Sequence, residues 1–207
     1  MHDETIQDWL EELASAAPAP GGGAVAGMSA AMSAALLSMA CNLTIGKPRY
    51  AEHEAALIRV RDRTATLRAG ALALADEDAA MFDRVIAAYR LPKGDDSERT
   101  ARNEAIEAAL IAAADVPMRT AELAVELIDL AREVLDRVNV NLVSDVGVAA
   151  SCARTALEAA ATNVRVNQSS IADDAVRARL GDAIAGHVQR IEDADRVVHA
   201  VTKRVGA

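Results

Sequence analysis

Pro18-Ala-Pro-Gly-Gly-Gly23 leads into Ala24-Val-Ala-Gly-Met-Ser-Ala-Ala-Met-Ser-Ala-Ala-Leu-Leu-Ser-Met-Ala-Cys-Asn-Leu-Thr-Ile45, and together they lie in the longest uncharged stretch of the chain. Three consecutive glycines open positive φ and close backbone approach, while the two prolines stiffen the entry and remove donors. The run behind them is dominated by Ala, Leu and Met, which are strong helix formers, so it is read as a helix starting at a corner of bare backbone. Free N–H groups and the positive dipole end would suit an anionic group there. A flexible linker into a buried helix accounts for the same glycines. Neither G-x-G-x-x-G nor G-x-x-x-x-G-K-[ST] occurs, and no alternating strand precedes the turn, which argues against a nucleotide-binding α/β fold.

The run from Ala24 to Ile45 is long enough to cross a bilayer. Its many small and hydroxylated residues gain little from lipid and suit tight packing inside protein, so a core helix is expected rather than a membrane span. The rest of the composition agrees. Apolar residues make up 52% of the 207, yet only 2% are aromatic. The core is therefore expected to be one of closely approaching, Ala-rich helices, and the fold class all-α. With 22 basic against 31 acidic residues and a net charge of −9, the surface opposes a polyanion, so nucleic acid is set aside. Cys41 and Cys152 stand alone and read as small buried thiols of a reducing cytoplasm. His2, His53, His187 and His199 are scattered without ligand spacing, so no metal is expected. The acidic N-terminus lacks a secretory pattern.

From the glycine turn outward, Asp3–Ala14 reads as a short amphipathic helix with Ile6, Trp9, Leu10 and Leu13 on one side. The core helix is expected to end near Gly46-Lys-Pro48. A helical stretch from about Ala51 reaches Tyr89 and stops at Leu91-Pro-Lys-Gly94. Asp95, Asp96 or Ser97 caps the next helix, which Pro117 should kink or divide. After a break at Asn139-Val-Asn141, Ser144 or Asp145 is expected to cap a second small-residue helix reaching about Val166. One last helix from Asp173 or Asp174 carries an apolar face from Val176 to Val201. No repeat or linker is evident, so residues 1–207 read as one helical domain.

Chemistry concentrates in Asp76-Glu-Asp78 and Asp83, inside a helix beside Met81, Phe82, Val85 and Ile86. On a helix Asp76 and Asp83 lie two turns apart, and Asp78 points elsewhere. At least one carboxylate is expected on the buried side. A solvated acidic surface is the alternative.

Seven segments appear in the order found in one family: residues 17–23, Asn42-Leu-Thr-Ile-Gly-Lys47, Asp76-Glu-Asp-Ala-Ala-Met-Phe82, Leu91-Pro-Lys93, Val116-Pro117, Ser144-Asp145 with Val148-Ala-Ala150, and Asn163-Val-Arg-Val-Asn167. The chain thus resembles the cyclodeaminase/cyclohydrolase family, which comprises the C-terminal domain of formiminotransferase-cyclodeaminase and stand-alone methenyltetrahydrofolate cyclohydrolases. It departs at Ala17, where Thr is common, and at Ala24, where Ser commonly follows the glycines. The resemblance implies an all-helical homodimer acting on one-carbon tetrahydrofolates, with the folate as substrate and no tightly bound cofactor. It implies a catalytic carboxylate, with Asp78 first and Asp76 in reserve. Substrate contacts are expected from Gly21, Gly22 and Gly23, Lys47 or Lys93 for an anionic tail, Asp145, Asn163 and Asn167. With the whole chain occupied by the helical unit, hydrolysis of 5,10-methenyltetrahydrofolate is the first expectation. Cyclodeamination of the 5-formimino compound is the second, and a non-catalytic helical scaffold the third.

Overall fold

The computed structural model describes residues 5–206, so Asp3 and Glu4 of the expected first helix and His2 lie outside the described residues. Seven α-helices follow in order: α1 Ile6–Leu13, α2 Gly22–Asn42, α3 Glu54–Tyr89, α4 Asp96–Val134, α5 Val143–Ser170, α6 Asp174–Val188 and α7 Ile191–Val205, with short 3-10 turns before α3 and α5. The all-α expectation holds among them.

The second helix is the axis of the bundle, packed between α3 and α5 and touching α4. Its small residues make this possible. A Cβ added at Gly27 would stand 2.8 Å from both the Ala71 carbonyl and the Ala75 Cβ, so only glycine lets α2 and α3 come this close. Ser38 and Thr64 face each other across the same contact and share a hydrogen bond of 2.8 Å, which satisfies two buried hydroxyls. Although α2 is long and apolar enough to span a membrane, most of its apolar stretch is buried inside the fold. The chain has used it as a core element.

Several boundaries differ from the sequence expectation. The glycines do not precede α2: Gly21 is its N-cap, and Gly22 and Gly23 form its first turn. In α1, only Trp9 is buried, and Ile6 and Leu10 face outward. Ser144 and Asp145 do not cap α5; they lie inside its first turn, where the Asp145 carboxylate suits the dipole. The expected single C-terminal helix is two, divided at Gln189–Arg190, where Arg190 is held by Asp129 of α4 and Asp193 of α7. That turn lets α7 lie along α5, with Val201 against Gly147.

Pro117 neither divides nor ends α4, which runs unbroken through it. Proline has no N–H to give the carbonyl four residues back. The Asn167 amide of α5 supplies the missing donor, bonding the Ala113 carbonyl at 3.3 Å. A residue of α5 thus repairs a defect in α4.

Both cysteines are free; Cys41 is buried as expected, and Cys152 is only partly so. Burial pushes the Cys41 thiol up to about 11 and raises that of Cys152 as well, so neither is poised as a thiolate.

Candidate active site

Two depressions of about 400 Å³ each flank the Pro18–Pro20 segment, and α3 contributes to both. Residues 78, 81, 82, 85 and 89 recur at helical spacing and face the inner cavity. Asp76 and Asp83, seven residues apart, face the outer depression with Trp9 and Glu12. The two candidate carboxylates therefore part company. Asp78 lies in the inner cavity, and Asp76 is exposed on the other side.

The inner cavity is completed by Gly21, Gly22 and Gly23 at the start of α2, Leu110 and Ala113 of α4, and Asn163, Val166 and Asn167 of α5. Asp78 is pressed onto the glycine corner. A Cβ on Gly23 would stand 2.1 Å from Oδ1 and 2.4 Å from Oδ2, so the carboxylate occupies the space any other residue would fill. The Ala24 N–H donates to it. The anion suited to this helix N-terminus is thus a side chain of the protein itself, where sequence reasoning had placed a ligand. Gly23 and Ala24 hold Asp78, and Gly21 and Gly22 remain available as cavity wall.

Burial pushes the Asp78 carboxyl above the ordinary aspartate value, and the Ala24 N–H, which favours the charged form, offsets only part of that. The group sits among Met81, Phe82 and Val85, where a flat apolar ring can lie and where a delocalised cation would find its counter-charge. This arrangement can stabilise positive charge and move a proton.

Asn163 and Asn167 are one turn apart on α5. The Asn163 amide donates to the Ala159 carbonyl at 2.9 Å. That of Asn167 donates to the Ala113 and Asn163 carbonyls at 3.3 and 3.2 Å. With both NH2 groups engaged on backbone, the amide oxygens are the atoms left to accept from a ligand's N–H groups.

The remaining sequence candidates are not brought to this cavity. Lys47 lies beyond the far end of α2, about 30 Å along a helix of this length. Asp145 opens α5, whereas Asn163 and Asn167 close it. Lys93 sits on the exposed loop after Tyr89 and does not line the cavity. Each shares a motif with the family, but motifs adjacent in order occupy opposite ends of long antiparallel helices. Leu110, Ala113 and Val166 had no chemical signal in the sequence, since apolar walls look like core.

An all-helical bundle with one desolvated carboxylate at the end of an apolar trough defines a class of protein suited to flat, cationic small molecules. Comparison with known proteins makes it particular. Residues 5–186 match the model of the formiminotransferase-cyclodeaminase family, and the chain belongs to that family. It is 46% identical to a methenyltetrahydrofolate cyclohydrolase of Methylorubrum extorquens over 84% of this chain and 83% of that one. It is 30% identical to the formimidoyltransferase-cyclodeaminase of Rattus norvegicus over 90% of this chain, which spans 35% of the rat protein. Its fold superposes on the crystal structure of a formiminotetrahydrofolate cyclodeaminase from Thermotoga maritima with a TM-score of 0.89, at 25% identity, over 100% of this chain and 99% of that one.

Proposed function

We infer that this protein is an enzyme of folate one-carbon metabolism that hydrolyses 5,10-methenyltetrahydrofolate to 10-formyltetrahydrofolate. The observation that carries the reading is the Asp78 carboxylate, seated on Gly23 and Ala24 and facing an apolar trough, in a chain 46% identical to a cyclohydrolase. The substrate's bridging carbon lies between N5 and N10 and shares their positive charge. Ionised Asp78 stabilises that cation and takes a proton from water as its oxygen bonds to the carbon. It returns this proton to N5 as the carbon–N5 bond breaks, and the adduct's hydroxyl proton leaves to solvent. Oxygen remains on N10 as the formyl group. Water and a carboxylate suffice, so no tightly bound cofactor is part of this reading. The amide oxygens of Asn163 and Asn167 accept from pterin N–H groups.

The likeness to the Thermotoga cyclodeaminase supports a second reading on the same residues. There N10 attacks a 5-formimino carbon, and Asp78 protonates the departing nitrogen as ammonia leaves. Absorbance of 5,10-methenyltetrahydrofolate, corrected for spontaneous hydrolysis, tests the first reading in wild type and Asp78→Asn. Ammonia release from 5-formiminotetrahydrofolate tests the second. A folded protein that accelerates neither reaction is the scaffold.

A homodimer belongs to the same proposal. Val25, Met28, Met32, Leu36 and Met39 form an uncharged stripe on the outer face of α2 with spacing symmetric about Met32, so two copies can pair antiparallel along it. Met32 and Met39 are 47% and 37% exposed. Such pairing sets the basic end, Lys47 and Arg49, against the partner's acidic depression of Glu12, Asp76 and Asp83. Met32→Glu is expected to halve the mass measured by light scattering; a wild type already monomeric contradicts it. The two free thiols fit a cytoplasmic location.

A further inference from the structure

The inner cavity is a trough that follows α3 from Asp78 past Phe82 and Val85 to Tyr89, where the helix ends. These end residues are eleven positions apart, about 16 Å of helix. Arg102 of α4 folds back onto the far end. Its Nε and Nη2 donate to the Tyr89 carbonyl at 3.3 and 3.1 Å. Its guanidinium carbon stands 5.7 Å from the centre of the Tyr89 ring. One edge of the guanidinium is engaged in this way, and the Nη1 N–H groups remain unused.

Among the described residues no carboxylate pairs with Arg102, although Arg99 on the preceding turn pairs with Asp96. A half-buried, stacked arginine without a counter-charge is notable in a chain of net charge −9. Beside it runs the loop that carries Lys93, fastened by Arg99, whose Nη1 donates to the Lys93 and Gly94 carbonyls at 3.4 and 3.2 Å. Arg102 therefore stands at the end of the trough farthest from Asp78.

We propose that Arg102 is the site that recognises the carboxylates of the substrate's glutamate tail. The inference rests on the folate reading above and assigns an orientation within it. The pterin and its bridging carbon lie at Asp78, the aryl ring runs along Phe82 and Val85, and the tail emerges past Tyr89. One aryl ring and one amide cover the distance once the side chains at each end have reached inward. A fixed, planar fork suits a carboxylate, and stacking on Tyr89 holds it in place before the ligand arrives.

The test compares 5,10-methenyltetrahydrofolate with the analogue in which ethylamine replaces glutamate, keeping the amide and removing both carboxylates. Arg102→Ala is expected to raise KM for the glutamate substrate about tenfold or more. For that substrate kcat stays within about twofold, and the ethylamide's parameters are unmoved. Arg102→Lys recovers part of the loss. The proposal is overturned if Arg102→Ala leaves the ratio of the two KM values at its wild-type figure, or slows both substrates alike, as a merely structural tie to Tyr89 would. Wild-type protein that turns over neither substrate refutes the folate reading itself, a result no Arg102 variant can mimic.

Discussion

The inner and outer depressions are similar in volume, share α3, Pro18 and Ala19, and each contains carboxylate. What separates them is one missing side chain. At Gly23 the absence of a Cβ lets Asp78 settle against the first turn of α2, out of water and bonded to the Ala24 N–H. Asp76, two residues away, turns outward toward Glu12 and Asp83. The outer depression gathers more acid, and the inner one perturbs a single acid. Charge count therefore says little about where proton chemistry lies; desolvation beside a fixed donor says more.

That contrast is most exposed to a paired substitution. Asp78→Asn is expected to lower the enzyme-dependent rate by about 10²- to 10⁴-fold, the usual range for a general acid–base group, whereas Asp76→Asn changes it by no more than about twofold. Similar losses from the two variants would erase the distinction between the depressions. Gly23→Ala should come next, because its methyl displaces the carboxylate without removing it. A rate loss of about 10²-fold with a stability loss of about 1–3 kcal/mol is expected by steady-state kinetics and urea unfolding. Unchanged kinetics would mean that the position of Asp78 is immaterial.

Stability itself should report on Asp78 through pH. Because the Asp78 carboxyl is raised by burial, its protonated form suits the fold better, and its stabilising contribution is lost as pH rises through the native value. Asp78→Asn should therefore melt higher than wild type at neutral pH, with the gap closing below the ordinary aspartate value; a lower melting temperature at neutral pH contradicts this. The smallest effect concerns the wall. Asn167→Ala strands the Ala113 carbonyl, at a cost of about 1–3 kcal/mol, and Pro117→Ala, which restores a backbone donor, should shrink that cost in a double-mutant cycle. Additive losses would show that the amide does not compensate for the proline.

The all-helical core was legible because Ala-rich, aromatic-poor sequence leaves few other ways to bury the chain. Some boundaries were not. Gly23 looks like a breaker locally, but the carboxylate of Asp78 requires bare backbone there, which only the assembled fold reveals. The break between α6 and α7 depends on Arg190 reaching Asp129, sixty-one residues away. Pro117 reads as a kink or a break, yet α4 continues through it, and the carbonyl it leaves without a donor is met by Asn167 from another helix. In the site, the acidic segment offered both Asp76 and Asp78, and the segment's spacing separated their faces without saying which was inward. Lys47 and Asp145 looked equally eligible because motif order carries no information about which end of a helix a residue occupies. Arg102 gave no signal, since its importance lies in stacking on Tyr89.

The pH dependence of kcat/KM for hydrolysis of 5,10-methenyltetrahydrofolate, measured on wild type and Asp76→Asn together, bears most directly on Asp78 as the reacting group. If it is, the rate falls on acidification at a pH above the ordinary aspartate value of about 3.9, identically in both proteins, and the limb in kcat lies lower because the bound cation favours the carboxylate. An acid limb at the ordinary value, or one that moves when Asp76 is replaced, would contradict it.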